Sequence, residues 1–168
     1  MANLVQIEAY LKKLGVEYQL IDLGGEIFRV EDVIKAGVNL AEIIKTLIVR
    51  IPKNNVNPNR DKIRLWPKNV SYVALAVRGR DRVDFKKVRR LFGAKSELAG
   101  KEEVKEIVGV PVGAVCPVLI NIPLVFDRRV MELARVNLGS GDLTKGLEMD
   151  LGDLLRAVGE YQVEDLVL

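Results

Sequence analysis

Histidine is absent from the 168 residues of this chain. Catalytic triads of the Ser-His-Asp type and Cys-His pairs both need an imidazole base, so neither mechanism is available. Histidine is also the commonest zinc ligand, and a single cysteine cannot supply the rest of a zinc site. We therefore expect a site without metal or cofactor. Any hydrolytic activity must depend on electrostatic positioning by main-chain donors, lysine or carboxylates.

Disulfides and membrane-spanning segments are also missing. Cys116 is the single cysteine, so no internal disulfide can form. The chain has no run of about 20 apolar residues, which a membrane-spanning helix requires. Its first ten residues, MANLVQIEAY, lack the basic region and apolar core of a secretory signal. These observations predict a cytoplasmic protein with no membrane partner.

The length and composition favour one folded domain over residues 1–168. Hydrophobic residues make up 49% of the chain and charged residues 29%, which is typical of a folded protein rather than a disordered one. A chain of this size buries roughly 70% of the surface that it exposes when unfolded. No internal repeat or linker divides it.

Positive charge is concentrated in one stretch, although the net charge is only +3. This mild excess permits a nucleic-acid partner without requiring one. The alternative, a solvated helix face, remains open. The stretch contains Arg78, Arg80, Arg82, Lys86, Lys87, Arg89 and Arg90.

Hydrophobic periodicity, caps and turn residues predict five helices and seven strands. The helices are expected at 3–14, 30–36, 101–108 and 151–158, with another from the N-cap Asp84 to Phe92, and a helical turn at 128–133. The strands are expected at 16–23, 43–51, 71–77, 95–98, 124–126, 134–138 and 161–167. Residues 53–62 are interpreted as a polar hairpin loop and residues 139–146 as a glycine-rich loop.

This order of elements lacks the strict alternation of βαβ units. It therefore predicts an α+β fold, with a curled mixed sheet that could form a barrel-like core and helices around it.

Lys45 lies inside an apolar, β-branched segment, IIKTLIVR. Strand alternation places Lys45 on the same face as Leu47 and Val49, which are core residue types. A lysine in that position either extends to solvent or points into a site. The pattern leaves both possibilities open and makes Lys45 a candidate pocket-facing ammonium.

Two glycine-containing loops are further candidates. Gly113-Ala114-Val115-Cys116-Pro117 combines a permissive glycine with a rigid proline, and its successive N–H groups could form an oxyanion hole. Gly139-Ser140-Gly141-Asp142, taken as a loop between a strand and a helix, could hold a phosphate. It lacks the full phosphate-loop pattern, so nucleotide hydrolysis is not supported. Either loop could instead be a simple turn.

The order and spacing of these elements resemble the YbaK/prolyl-tRNA-synthetase editing-domain family. The resemblance covers most of residues 40–160. The matching stretches are IIKTLIVR, YVALAVRGRDRVDFKKVRRLFGAK, GVPVGAVCP, PLVFDRRV and GLEMDLGDLLRAVG.

The resemblance implies a trans-acting deacylase that hydrolyses mischarged transfer RNA, for example alanine or cysteine on a proline transfer RNA. It assigns the catalytic positions to Lys45 and to Gly113, Ala114, Val115, Cys116 and Pro117. Substrate contacts are expected from Thr46, from Gly139, Ser140, Gly141 and Asp142 of the glycine-rich loop, and from Glu148, an acidic residue for which the resemblance implies a similar place. The expected partner is the acceptor end of an aminoacyl-tRNA, with a synthetase as a further partner. An ester is already activated, so Cys116 is not expected to act as a nucleophile.

Two alternatives remain at this stage. One is a non-catalytic module that binds aminoacyl-tRNA or a synthetase, which only turnover distinguishes from a deacylase. The other is a mononucleotide- or phosphate-binding protein that uses the loop at 139–142. The sequence departs from the family in its polar stretch at 54–68 and in lacking the histidine that some members carry near the glycine loop.

Overall fold

A computed structural model describes residues 2–52 and 71–168. In order along the chain, its helices are α1 (Leu4–Leu14), α2 (Val30–Lys35), α3 (Phe85–Phe92), α4 (Lys101–Val108) and α5 (Leu151–Val158). Its strands are β1 (Gln19–Asp22), β2 (Ile44–Arg50), β3 (Tyr72–Arg78), β4 (Glu97–Leu98), β5 (Leu124–Asp127), β6 (Arg135–Gly139), β7 (Lys145–Asp150) and β8 (Gln162–Glu164). Short 3-10 turns cover Leu40–Glu42 and Arg128–Glu132.

The helix ends follow from their capping residues. Asn3 and Gln6 form a capping box at the start of α1, and Gly15 ends that helix in the left-handed conformation. Asp84 caps α3 by accepting a hydrogen bond from the N–H of Lys86, and Gly93 ends it. These ends agree closely with the sequence prediction.

The described strands form two sheets. One has the order β1-β7-β6 and is antiparallel. The other has the order β4-β2-β3-β5-β8, antiparallel among its first three strands and parallel among β3, β5 and β8. An isolated parallel bridge between Ile43 and Asn137 joins them. The α+β prediction with a mixed sheet is confirmed, whereas the sheets are not closed into a barrel.

The five-stranded sheet is buried on both faces. Ile44, Ile48, Ala74 and Ala76 pack in a large cluster with helices α1, α4 and α5. The alternate positions, including Val49, Leu75 and Val77, pack with Val88 and Phe92 of α3. This two-sided burial explains why β2 and β3 read as nearly continuous apolar runs. Within the described ranges, no helix is long and apolar enough to cross a membrane.

Strand β7 was missed in the sequence analysis, because Gly139, Gly141 and Gly146 suggested one long loop. Gly146 in fact lies within β7, opposite Ile21 of β1 and Gly139 of β6. Pairing with a strand on each side overrides the weak intrinsic strand propensity of glycine. The segment at 139–146 is therefore a hairpin between two strands, not a loop before a helix. The polar hairpin predicted at 53–62 lies outside the described residues.

Glu103 of α4 ties that helix to the five-stranded sheet. Its carboxylate accepts hydrogen bonds from the Gly100 N–H (3.0 Å), the Tyr72 hydroxyl (2.7 Å) and the Arg50 guanidinium. These three donors favour the charged form and lower the pKa of Glu103 to about 2, the Gly100 bond contributing most.

We predict that Glu103→Gln lowers stability at neutral pH and that this deficit shrinks in acid. A depressed carboxyl pKa stabilises the fold above the unfolded-state pKa, near 4.5, and that contribution is lost as the pH falls toward 2. Urea denaturation of both proteins between pH 7 and pH 2.5 measures the difference. Glu102→Gln, at an exposed position on the same helix, is the control. A deficit that stays constant with pH would contradict this role.

Candidate functional site

A mostly apolar cavity of about 160 Å³ lies between β2, the end of β6 and the segment that leads from β1 through α2. This volume is roughly ten times the minimum that a cavity needs to hold one water molecule, so the cavity suits a small organic group. Its apolar lining comprises Leu23, Ile27, Phe28, Val30, Val33, Val38, Ile43, Ile44, Leu47, Val112, Val115 and Leu138. Its other lining residues are Arg29, Lys45, Thr46, Gly113, Asn137, Gly139, Lys145 and Gly146.

Lys45 supplies an ammonium group to this cavity. Its Nζ donates a hydrogen bond to the Gly79 carbonyl at 3.2 Å, and its side chain is partly buried. Burial lowers the pKa of Lys45, and the nearby charge of Arg82 adds to that effect, whereas the carboxylates of Asp81 and Glu31 oppose it. With one protein hydrogen bond described, the ammonium retains donors for an anionic or carbonyl oxygen of a ligand.

The loop at 113–117 contributes Gly113 and Val115 to the cavity lining. Gly113 has φ +94°, and a Cβ there would lie 2.7 Å from the Ile27 carbonyl oxygen and 3.0 Å from the Phe28 Cα. A Cβ on Gly139 would lie 2.3 Å from the Val115 carbonyl oxygen. Backbone contacts that only glycine permits therefore hold the loop between β6 and the residues that precede α2, Ile27 and Phe28.

Five of the predicted site residues come together at this cavity: Lys45, Thr46, Gly113, Val115 and Gly139. Ala114 lies behind the wall, where its N–H bonds the Pro111 carbonyl at 3.0 Å and its carbonyl bonds the Gly141 N–H at 2.8 Å. Cys116 and Pro117 are buried outside the cavity lining. Glu148, also outside the lining, accepts a hydrogen bond from Arg135 Nε at 2.6 Å.

The side chains of Ser140 and Asp142 bond within the turn at 140–145. The Ser140 hydroxyl donates toward the carbonyls of Asp142 (3.1 Å) and Lys145 (2.7 Å). The Asp142 carboxylate accepts from the Thr144 N–H at 2.8 Å and the Thr144 hydroxyl at 2.7 Å, and these bonds lower the pKa of Asp142. This arrangement explains the tight hairpin and leaves Ser140, Gly141 and Asp142 outside the cavity lining.

Cys116 is unsuited to nucleophilic attack. Burial raises the pKa of its thiol to about 12. A thiol is reactive as the thiolate, so a buried group with a raised pKa is inert near neutral pH. The position of Cys116 agrees with the expectation that it is not a nucleophile.

Sequence reasoning missed several cavity residues. Phe28, 49% exposed, and Arg29 come from a segment with no clear helical or strand pattern. Asn137 is 5% exposed and lies between apolar neighbours in β6. The argument applied to Lys45 could have identified it, because a polar residue in an apolar strand needs a partner or a site.

The comparisons with known proteins agree with this architecture. A family model described as an aminoacyl-tRNA editing domain matches residues 26–157. That range includes β2, the loop at 113–117 and most of the cavity lining. No curated protein matches the chain in sequence.

Two solved structures share the fold over nearly the whole chain. The hypothetical protein APE2540 is 30% identical, with a TM-score of 0.76 over 96% of this chain and 99% of that one. A protein described as a "putative trans-editing enzyme for prolyl tRNA synthetase" is 22% identical, with a TM-score of 0.76 over 100% of this chain and 99% of that one.

We predict that Gly139→Ala destabilises the protein and deforms the cavity. The new methyl group would overlap the Val115 carbonyl, and overpacking of this kind typically costs about 1–3 kcal/mol. Gly152→Ala is the matched control, since nothing lies within 4 Å of its Cβ position in α5 and removing a helical glycine stabilises by roughly 0.4–1 kcal/mol. Thermal unfolding of both variants measures the contrast. Equal melting temperatures would refute the close approach.

Proposed function

We propose that this chain, which belongs to the aminoacyl-tRNA editing domain family, hydrolyses the ester bond of mischarged aminoacyl-tRNA in trans. One observation carries the proposal: Lys45, Gly113 and Val115 line a single small cavity whose other walls are mostly apolar. That cavity suits a small amino acid attached to a polar, anionic nucleotide.

The chemistry needs no nucleophilic side chain, because an aminoacyl ester is already activated. Water adds to the ester carbon, the bond from that carbon to the ribose oxygen breaks, and a proton from the water passes to the departing ribose oxygen, with the neighbouring ribose hydroxyl or a second water as its relay. The site must hold the ester carbonyl near the attacking water and stabilise the negative charge that develops on the carbonyl oxygen. The main-chain N–H groups of Gly113 and Val115 are candidates for that stabilisation. Lys45 would hold a phosphate or ribose oxygen of the terminal adenosine by a charge-assisted hydrogen bond.

Phe28 offers an aromatic surface for the terminal base. It lines the cavity and is 49% exposed, so one part of the ring faces the cavity and another part faces solvent. Stacking on an exposed aromatic ring is a common and sequence-tolerant way to bind an unpaired nucleotide. The neighbouring Arg29 adds positive charge at the same segment.

The substrates that fit best are alanine or cysteine on a proline transfer RNA. The cavity volume supports a small amino acid, and the similar fold described as a trans-editing enzyme for prolyl tRNA synthetase supports this choice of transfer RNA. One methylene in an apolar pocket discriminates by only about 1–3 kcal/mol, so rejection of the larger correct amino acid would be steric.

We predict that the protein deacylates Ala- or Cys-charged proline transfer RNA and leaves Pro-charged transfer RNA intact. A panel of Ala-, Cys-, Ser- and Pro-charged transfer RNA, followed by release of labelled amino acid, tests this. Lys45→Ala should lower kcat/KM by about 10- to 150-fold, the value of one hydrogen bond to a charged group. Lys13→Ala, an exposed change on α1, is the control.

Two results would decide against this proposal. Tight binding of charged transfer RNA without release of any amino acid would identify a binding module. Release that is undiminished in Lys45→Ala would remove the cavity from the mechanism.

The basic stretch adjoins the cavity and can contact transfer RNA. Arg78 is paired with Asp81 (2.7 Å) and Lys87 with Asp165 (2.9 Å), so their charges are partly neutralised. Arg82 lies near enough to Lys45 to influence its pKa. The exposed members of the stretch are Arg80, Arg82, Lys86, Arg89 and Arg90.

We predict that reversing the charges of Arg82 and Lys86 weakens transfer-RNA binding and reduces its salt dependence. Each lost phosphate contact should lower the slope of log affinity against log salt by roughly 0.7–0.9. Transfer-RNA affinity is measured for R82E/K86E and for the control K12E/K13E, which alters exposed residues of α1. The salt concentration is varied from about 50 to about 300 mM. Equal slopes for the two double variants would show that this face is only solvated.

A further inference from the structure

Two polar side chains of the cavity have atoms without a protein partner. In the part of the chain that the structure describes, the buried side-chain oxygens Thr46 Oγ1 and Asn137 Oδ1 lack a hydrogen bond. Both residues line the same cavity. Native proteins rarely leave buried polar atoms unpaired, and such atoms indicate a place for water or a ligand.

The main chain of Thr46 adds to this polar patch. The carbonyl of Ile48 accepts a hydrogen bond from the Ala99 N–H at 2.9 Å, on the side of β2 away from β3. Main-chain groups of alternate strand residues point the same way, so the N–H and carbonyl of Thr46 also point away from β3. Strand β4 pairs there only with Val49 and Arg50. Among the described residues, nothing therefore pairs with the edge of β2 at Thr46, where it borders the cavity.

The orientation of the Asn137 amide is fixed by Glu42. Asn137 Nδ2 donates a hydrogen bond to Glu42 Oε2 at 3.3 Å. A flipped amide would place two acceptor oxygens against each other, so Nδ2 stays on the Glu42 side and Oδ1 remains an acceptor. A carboxylate bonded to the N–H of an amide also polarises that amide, which strengthens its oxygen as an acceptor.

This patch is rich in acceptors. Asn137 Oδ1 and the Thr46 carbonyl can only accept hydrogen bonds, and the Thr46 hydroxyl can also accept. The matching ligand group carries several N–H donors and a positive charge, which the Glu42 carboxylate behind Asn137 favours. On an aminoacyl ester, the α-ammonium group carries both the positive charge and several N–H donors.

We propose that Asn137, oriented by Glu42 and assisted by Thr46, binds the α-ammonium group of the aminoacyl ester and so excludes transfer RNA whose amino acid is N-acylated. The proposal rests on the proposed function. Acylation removes the positive charge and two N–H donors, and it adds an acyl group to a cavity of only about 160 Å³. Peptidyl- and formylaminoacyl-transfer RNA would therefore be spared, although their ester bonds are chemically similar.

Binding of stable substrate analogues tests this without turnover. The probes are 3′-alanylamino-3′-deoxyadenosine and its N-acetyl derivative, with affinities measured by titration calorimetry. The wild type should prefer the free amine by about tenfold or more, the effect of a lost charged hydrogen bond. Asn137→Leu should abolish the preference. Asn121→Leu, which removes an exposed asparagine bonded to the Ile107 carbonyl, should keep it.

Glu42 is a positioning residue, and its variants separate orientation from general stability. Glu42→Leu removes the acceptor for Asn137 Nδ2 and should reduce the preference for the free amine. Glu42→Gln retains an acceptor oxygen and should restore most of that preference. A purely structural role would change the affinity for both analogues alike.

The outcomes distinguish this inference from the deacylase proposal. Equal binding of the two analogues by the wild type, or an unchanged preference in Asn137→Leu, would overturn the inference. Comparison of kcat/KM for Ala- and N-acetyl-Ala-transfer RNA gives a second readout, and equal values would overturn the inference while leaving deacylation intact. A preference for the free amine without any turnover would support the inference and overturn the deacylase. Absence of both binding and turnover would overturn both.

Discussion

The backbone contact between Gly139 and Val115 brings the two halves of the cavity together. A Cβ on Gly139 would lie 2.3 Å from the Val115 carbonyl oxygen, so the loop at 113–117 packs against β6 without an intervening side chain. Gly113 makes a similar approach to the Ile27 carbonyl. Together with the bridge between Ile43 and Asn137, these contacts join elements from the two sheets around one small space. The position of every other cavity group depends on this spacing.

The second constraint is the burial of β2 on both faces. Ile44 and Ile48 pack on one side and Val49 on the other, so the strand has few positions where a polar group can remain unpaired. Among the described residues, such a position occurs at Thr46, where β4 no longer covers the edge of β2. The polar groups of the cavity are thus concentrated by the same packing that stabilises the sheet. The apolar surroundings also strengthen their interactions with a ligand.

Much of the fold could be predicted from the sequence, because helix caps and strand periodicity are local signals. Asn3, Asp84 and the glycines that end the helices fix their boundaries within a few residues. Strand β7 could not be predicted, because Gly146 is held in a strand by partners that are distant in sequence. For the candidate site, Lys45 and Gly113 carried a recognisable pattern. Phe28 and Asn137 did not, since their importance depends on which elements pack beside them.

The absence of histidine becomes intelligible at this cavity. In the proposed reaction, the proton of the attacking water would pass to the departing ribose oxygen through the neighbouring ribose hydroxyl or a second water, so the protein would supply mainly correct placement and a stabilised oxyanion. Fixed main-chain dipoles and one ammonium group can supply both without a titrating imidazole. Under the proposed function, selectivity would depend on what the cavity can enclose: its volume would limit the amino acid side chain, while the unpaired acceptors at Asn137 and Thr46 would select the charged amino group. A site of this kind would discriminate at both ends of the amino acid with groups that are already held in place by the fold.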